Sequence, residues 1–168
     1  EYLRSDMMII KDDVVNPFKG HKLPEVNRKE AIKKKRKEFT VENIRSLEAE
    51  LKQRAVSNTA DGLDIDMYDF FMVAIYTGAR REELGQLKVN DYDAVNNTIT
   101  INDAKTDAGN RIVPLHPKLS LLFSKLTSAS GNNYLFKALS IDKYGKRTDA
   151  LGKRFSRAKA KLGFDGRY

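Results

Sequence analysis

The longest apolar run of the chain extends from Met67 to Tyr76 and contains neither Gly nor Pro. It is too long for a buried strand and apolar on nearly every side, so it predicts a helix within the core. Thr77 and Gly78 interrupt the run, and Gly can adopt the positive-φ turn that other residues avoid. Leu84 and Leu87 then provide apolar anchors, which predicts a second, amphipathic helix after this corner.

Apolar residues at helical spacing predict three further helices. The first begins after Thr40, a residue type favoured at the N-cap. The second covers residues 118–126, and the third begins at Thr148 and ends at Gly163, a residue suited to a left-handed C-cap. The inward-facing positions are Ile44, Leu47 and Leu51 in the first helix, Leu119, Leu122, Phe123 and Leu126 in the second, and Leu151, Phe155, Ala158 and Leu162 in the third.

Between these helices the pattern favours short strands. Val89–Tyr92 and Thr98–Ile101 are predicted strands, with Asn96 and Asn97 forming the turn between them. A polar segment containing Gly109 then leads into the apolar residues that follow Arg111, which predicts a β-hairpin with a polar tip. The acidic segment 61–66 misses the spacing of a calcium loop, so we expect Asp64 or Asp66 to cap the core helix instead.

Two arginines and two glutamates follow the glycine corner directly, as residues 80–83. One interpretation is an anion site, because the free N–H groups of a helix start and a guanidinium fork both favour a phosphate. Glu83 lies three residues after Arg80 and can hold that side chain from behind. The other interpretation is a solvated helix face whose local ion pairs contribute about 0.3–0.5 kcal/mol each.

The complete string is more specific than its charges. Residues 76–87 read Tyr-Thr-Gly-Ala-Arg-Arg-Glu-Glu-Leu-Gly-Gln-Leu, and Asn90-Asp91-Tyr92-Asp93 follows shortly afterwards. This resembles the first arginine box of the tyrosine recombinases, the phage integrase family, with its pattern Thr-Gly-x-Arg-x-x-Glu-Leu. The resemblance implies that Arg80 is the first catalytic arginine and that Glu83 supports it. It also implies an α+β fold, a mainly helical integrase-type catalytic domain with a small antiparallel three-stranded sheet or β-hairpin on one edge.

The predicted hairpin carries Lys105 and Thr106 just before its turn, and Arg-Ile-Val-Pro-Leu follows from Arg111. A lysine at this place can be an ordinary exposed loop residue. The segment nevertheless resembles the β-hairpin of the integrases, whose Lys-Thr tip enters the minor groove beside the scissile phosphate. By that resemblance Lys105 is the general acid that protonates the departing 5′ oxygen, and Lys88 and Arg111 add contacts to the DNA backbone.

Composition narrows the class of partner. The 168 residues carry a formal net charge of +8, which favours a polyanion such as double-stranded DNA. The sequence has no Cys and only two His, His21 and His116, so a thiolate zinc site or a His-rich metal centre is not expected, and we expect no cofactor. No apolar run approaches a membrane span, and no signal peptide is visible, so we expect a cytoplasmic, DNA-associated protein.

A polar, basic stretch precedes the predicted catalytic domain. By the resemblance, residues 1–24 are the end of a helical core-binding domain, 25–37 a basic interdomain linker and 38–168 the N-terminal part of the catalytic domain. A like-charge run is typical of a solvated tether, whereas contact with DNA phosphates would release counterions and make binding salt-dependent. The basic residues of the linker are Lys33, Lys34, Lys35, Arg36 and Lys37.

Other residues extend the candidate DNA surface. Arg81 and Thr106 are expected beside the catalytic residues, and Arg147 is expected in an exposed basic loop at 144–147. For the outer face of the last helix, solvation and phosphate contact both remain open. That face carries Lys153, Arg154, Arg157, Lys159 and Lys161.

The resemblance covers the family's first half only. No His-x-x-Arg box occurs, so Tyr168 is not expected to be the nucleophile and His116 is expected to be structural or capping. We expect a piece, inactive alone, of a metal-independent enzyme that integrates or excises phage or other mobile DNA through a 3′-phosphotyrosyl intermediate, acting as a homotetramer. The alternatives are a non-catalytic DNA-binding relative or accessory module and a basic RNA-associated domain, although the aromatic pattern of common RNA modules is not seen.

Overall fold

A computed structural model describes residues 37–102, 110–129, 133–164 and 168. The chain divides into two units at residues 36 and 37, and all described residues belong to the second. Its described residues form helices and a small antiparallel sheet. The proposed boundaries at residues 24 and 37 stay predictions, and the predicted contacts Lys33, Lys34, Lys35 and Arg36 lie outside the described residues.

Helix α1, Val41–Ala55, begins where the sequence indicated. The Thr40 hydroxyl accepts the Asn43 N–H, and the Asn43 side chain accepts the Thr40 N–H. These two reciprocal hydrogen bonds form a capping box. Leu47 and Leu51 are buried on the face that packs against the next helix. The predicted apolar stripe of this helix is confirmed.

Helix α2, Gly62–Thr77, is the predicted core helix. The prediction that Asp64 or Asp66 caps it is wrong, because the Asp61 side chain accepts the Asp64 N–H at 2.9 Å. Asp66 is 8% exposed and accepts the Ala138 N–H at 2.7 Å, and its burial raises the pKa of that carboxyl. The acidic segment therefore serves helix capping and tertiary packing.

Helix α3, Arg81–Gly85, is shorter than the amphipathic helix that the sequence predicted. A 3-10 turn, Val89–Asp91, follows it, so the predicted strand Val89–Tyr92 is largely wrong. The three strands are β1, Tyr92–Asp93, β2, Thr98–Ile101, and β3, Arg111–Pro114. They form one antiparallel sheet in the order β1-β2-β3.

After the sheet, a 3-10 turn at Pro117–Leu119 leads into helix α4, Ser120–Ala129. His116 caps that turn, since its Nδ1 accepts the Lys118 N–H at 3.2 Å. The structural role expected for His116 is therefore confirmed. Helix α5, Asp149–Lys161, follows Thr148, and Gly163 adopts the expected left-handed conformation at φ 74°.

One hydrophobic core joins these elements. Burial of apolar side chains from every layer is the main stabilising contribution to such a fold. The sheet contributes through alternate residues of β2, because Ile99 and Ile101 face inward while their neighbours are only partly covered. The largest fully buried side chains include Leu47, Leu51, Val73, Leu84, Ile99, Ile101, Leu119, Phe123, Leu135, Phe136 and Leu151.

Candidate phosphate-binding site

The corner after α2 fixes the position of Arg80. The Gly78 N–H donates to the Ala74 carbonyl at 3.0 Å, and Gly78 lies at φ 62°, a conformation that is unfavourable for side chains with a Cβ. The Thr77 hydroxyl donates to the Val73 carbonyl at 2.7 Å. The chain then extends through Arg80, at φ −68° and ψ 148°, before α3 begins.

Glu83 is the centre of the charged cluster, and its side chain is only 6% exposed. Arg80 donates its backbone N–H to Oε2 at 2.8 Å and its Nη1 to Oε1 at 2.9 Å. Arg111 approaches the same carboxylate, with Nη1 at 3.2 Å from Oε1 and Nη2 at 2.7 Å from Oε2. The hydrogen bonds from Arg111, followed by those from Arg80, lower the pKa of Glu83 to about 2.

The two arginines of this cluster remain accessible. The side chain of Arg80 is 73% exposed and that of Arg111 is 38% exposed, although both contact Glu83. An anion of the size of a phosphate can therefore reach the Arg80 guanidinium from solvent while Glu83 holds it from the protein side.

One part of the predicted anion site stays a prediction. Free N–H groups at a helix start were expected to contribute; the N–H of Arg80, the residue before α3, is bonded to the Glu83 carboxylate, and the contribution of the first-turn N–H groups stays a prediction. Helix α3 also has only five residues, so its dipole is small. The guanidiniums are the anion-binding groups of this site that the structure shows to be accessible.

The base of the predicted hairpin lies beside this cluster. Ile101 and Arg111 are paired across β2 and β3, and Arg111 is the residue that bonds to Glu83. These two residues flank the segment that carries Lys105 and Thr106, both of which lie outside the described residues. Convergence of Arg80 and Lys105 on one phosphate stays a prediction.

Arg81 extends the basic surface toward α5. Its side chain is 53% exposed, and a Cβ placed on Gly152 would lie 2.6 Å from its Nη1, so the guanidinium covers that glycine. Lys153 and Arg157 are exposed on the same side of α5, and together with Arg81 they line one shallow depression. Three cations thus border one open surface.

The remaining cations of α5 have protein partners. Arg154 bonds to Asp61 and to Asp64, and Lys161 bonds to Glu50 at 2.7 Å. The Lys159 amine donates to the backbone carbonyl of the final residue at 2.5 Å. Solvation and phosphate contact were both left open for the cations of this helix. Lys153 and Arg157 are the better candidates for contact with DNA phosphates, because the other three cations have contacts within the protein.

Arg147 differs from its prediction. It was expected in an exposed basic loop, but it is 3% exposed. Its guanidinium donates to backbone carbonyls of Gly85, Phe136 and Leu139 at 2.6–3.0 Å. A side chain committed to these contacts cannot reach a DNA phosphate, so Arg147 is removed from the candidate DNA surface. Lys37, by contrast, is exposed and lies over the Tyr168 ring at 5.1 Å.

Sequence reasoning also missed Glu82. Its carboxylate accepts the Arg147 N–H at 3.3 Å and the Thr148 hydroxyl. The sequence offered no signal for this pairing, because it joins residues 65 positions apart. Among the described residues, no group of three or more His, Cys, Asp or Glu could hold a metal, and no described helix is long and apolar enough to cross a membrane.

Comparison with known proteins adds a family and a fold. A sequence model of the phage integrase family matches residues 37–167. The structure of XerA recombinase gives a TM-score of 0.52 at 21% identity over 77% of this chain. The Tn1549 transposon integrase in complex with transposon right end DNA gives 0.55 at 20% identity over 76% of this chain. Comparison with curated proteins gave no match.

This chain covers less than half of each of these two structures. The chain spans 44% of the XerA chain and 45% of the Tn1549 integrase chain. At these identities the likeness establishes the fold. The predicted α+β class, mainly helical with a small three-stranded antiparallel sheet, is confirmed.

Proposed function

Because the chain belongs to the phage integrase family, we propose that it forms part of a tyrosine recombinase that carries out site-specific recombination of double-stranded DNA. The natural role is integration or excision of a phage or another mobile element. The Tn1549 integrase structures hold transposon right end DNA and circular intermediate DNA, which supports DNA as the partner. A homotetramer on two duplexes, in the cytoplasm of a bacterial host, belongs to the same proposal.

The observation that carries the proposal is the arrangement around Glu83. A buried carboxylate holds Arg80 by both its backbone and its side chain, while the guanidinium itself stays 73% exposed. Arg111 bonds to the same carboxylate from the sheet. A solvated helix face would not need a carboxylate shared between two elements. The arrangement is that of a cation fixed from behind and presented to an external anion.

In the proposed reaction a tyrosine hydroxyl gives its proton to a general base, its oxygen attacks the scissile phosphorus, and the bond from phosphorus to the 5′ oxygen breaks. The products are a 3′-phosphotyrosyl link and a free 5′ hydroxyl, whose proton comes from Lys105. Arg80 stabilises the negative charge that develops on the non-bridging oxygens. A 5′ hydroxyl from a second strand later reverses the step. The family resemblance implies that arginines, without a metal ion, supply this stabilisation.

The tyrosine nucleophile, the second arginine and the catalytic His are assigned to sequence that this chain does not contain, because no His-x-x-Arg box occurs in it. We propose accordingly that the chain alone binds DNA and does not cleave it. Reading the coding sequence beyond residue 168 tests this part. The expected result is a His-x-x-Arg box followed by a tyrosine. A coding sequence that encodes neither the box nor the tyrosine would contradict this part of the proposal.

Trapping of a covalent protein–DNA adduct on nicked duplex, with the full-length parent, tests the chemistry. The parent should form the adduct. Arg80→Ala should slow its formation by about 10²–10³ while weakening DNA binding far less. Equal losses of binding and cleavage would assign Arg80 to docking. A parent that binds duplex DNA and forms no adduct would instead be a non-catalytic DNA-binding relative.

A further inference from the structure

We propose that Glu82 and Arg147 are positioning residues, which lock α3 against the start of α5 and thereby set the direction in which Arg80 and Glu83 point. The inference rests on the proposed function for its catalytic consequence. Its structural content, that α3 is held by these two side chains, can be tested on the chain itself. Neither residue is expected to touch DNA.

Helix α3 cannot hold its own position. It has five residues, and isolated helices of that length are unstable because nucleation is costly. Its backbone bonds are few, such as Leu84 N–H to the Arg80 carbonyl and Gln86 N–H to the Glu82 carbonyl, both at 3.1 Å. The orientation of the helix must therefore come from tertiary contacts.

Glu82 supplies one of these contacts. Its carboxylate accepts the Arg147 N–H at 3.3 Å and the hydroxyl of Thr148, the fully buried residue that precedes α5. The fit is close, since a Cβ on Gly85 would lie 2.4 Å from the Thr148 Cγ2. A side chain of α3 thus binds the backbone and hydroxyl at the beginning of α5.

Arg147 supplies the reciprocal contact. Its Nη1 donates to the Gly85 carbonyl at the end of α3, at 2.6 Å, and its Nη2 donates to the carbonyls of Phe136 and Leu139. The Tyr134 ring lies 3.7 Å from the guanidinium carbon. Burial lowers the pKa of Arg147, and these groups offset part of the cost of burying its charge. A costly buried cation is thus used to fix the end of α3.

The two glutamates of α3 face different partners. Successive residues of a helix point about 100° apart, which allows Glu82 to reach α5 while Glu83 reaches Arg80 and Arg111. The helix is therefore held between the sheet on one side and α5 on the other. Release of the Glu82 side would let α3 turn and would move the Arg80 guanidinium away from its phosphate.

The first test measures single-turnover adduct formation by the full-length parent. Glu82→Ala and Arg147→Met should each slow it by on the order of 100-fold, with DNA affinity changed by no more than about twofold. Glu82→Gln should retain most of the rate, because its amide oxygen can accept the Arg147 N–H and its amide NH2 can donate to the Thr148 hydroxyl oxygen. The control is Leu126→Ala, at a buried leucine of α4.

The rate ratio between the variants and this control decides the outcome. Each variant is assayed at the same number of degrees below its own melting temperature. If Glu82→Ala and Arg147→Met then lose no more rate than Leu126→Ala, the two residues are merely structural. The same conclusion follows if their loss of DNA affinity is as large as their loss of rate. Failure of Glu82→Gln to recover the rate would also overturn the proposal.

The second test uses this chain and does not depend on recombinase activity. In Glu82→Ala, amide hydrogen exchange relative to wild type should accelerate at Leu84 and Gln86 by at least about tenfold more than at the buried amides of α1. Leu126→Ala should accelerate both sets in proportion. Equal acceleration in Glu82→Ala would overturn the positioning role. A wild-type parent without adduct, together with the predicted exchange pattern, would refute the recombinase proposal alone.

Discussion

Arg111, the first residue of β3, donates from both terminal nitrogens to the carboxylate of Glu83, 28 residues earlier in the chain. This pair joins the sheet to the arginine box and places the base of the predicted hairpin beside Arg80. The Glu83 side chain is almost completely covered while that of Arg111 is 38% exposed, so water screens this pair only in part. Since Arg111 holds Glu83 and Glu83 holds Arg80, the exposed side chain of Arg80 keeps a defined position.

Acid unfolding should reveal the Glu83 cluster. Its pKa is about 2 in the folded chain against 4.5 ordinarily, so its stabilisation is complete above pH 4.5 and is lost as the pH falls toward 2. At pH 7, Glu83→Gln should lower the free energy of unfolding by about 2–3 kcal/mol. Urea unfolding at pH 7, 4 and 3 measures this, and the difference from wild type should shrink at each lower pH. A difference that stays constant would contradict the assignment.

The corner before Arg80 should depend on glycine for its backbone and not for space. No atom lies within 4 Å of a Cβ placed on Gly78, but its φ is +62°. Gly78→Ala should therefore cost about 1–2 kcal/mol of unfolding free energy. Gly78→Asn is the matched variant and should cost less, because Asn tolerates this conformation better. Denaturant unfolding of both variants is the measurement, and equal costs would point to some other cause.

Gly85 should be limited by space instead. Gly85→Ala should destabilise the chain by about 1–3 kcal/mol, because the new methyl group would meet the Thr148 Cγ2. Thr148→Ser removes that methyl group and keeps the hydroxyl that Glu82 accepts. The double variant should therefore recover much of the loss, which a double-mutant cycle of unfolding free energies measures. Additive losses would show that the close contact is not the cause.

DNA binding should separate the cations of α5. Lys153→Gln and Arg157→Gln should each reduce the slope of log K against log salt by about 1, since each removes one phosphate contact. Arg154→Gln is the control on the same helix, because Arg154 is engaged by Asp61 and Asp64. Fluorescence anisotropy of this chain with duplex DNA over a salt series gives the slopes. A change of slope for Arg154 equal to that for Lys153 would contradict the surface proposed here.

The sequence could predict the features that are local. The pairing of Arg80 with Glu83 follows from their spacing of three residues, and the strand Thr98–Ile101 follows from its alternation of polar and apolar residues. Gly78 and Thr40 were predicted for the same reason, since turn and cap chemistry acts within a few residues.

Features that depend on distant partners could not be predicted. Val89 was assigned to a strand, but it begins a 3-10 turn, and its N–H donates to the carbonyl of the distant residue Asn133. Arg147 was assigned to an exposed loop because its neighbours are polar, whereas its three carbonyl acceptors come from segments 8 to 62 positions away. Nothing local in the sequence indicates that Glu82 faces α5.

The central claim is that Arg80 and Lys105 act on the same phosphodiester, and a double-mutant cycle of single-turnover DNA cleavage by the full-length parent tests it most directly. If both groups stabilise one transition state, Arg80→Ala/Lys105→Ala should lose little more rate than the more damaging single variant. Losses that multiply would mean that the two residues contribute independently, which would contradict their coupled action in one transition state.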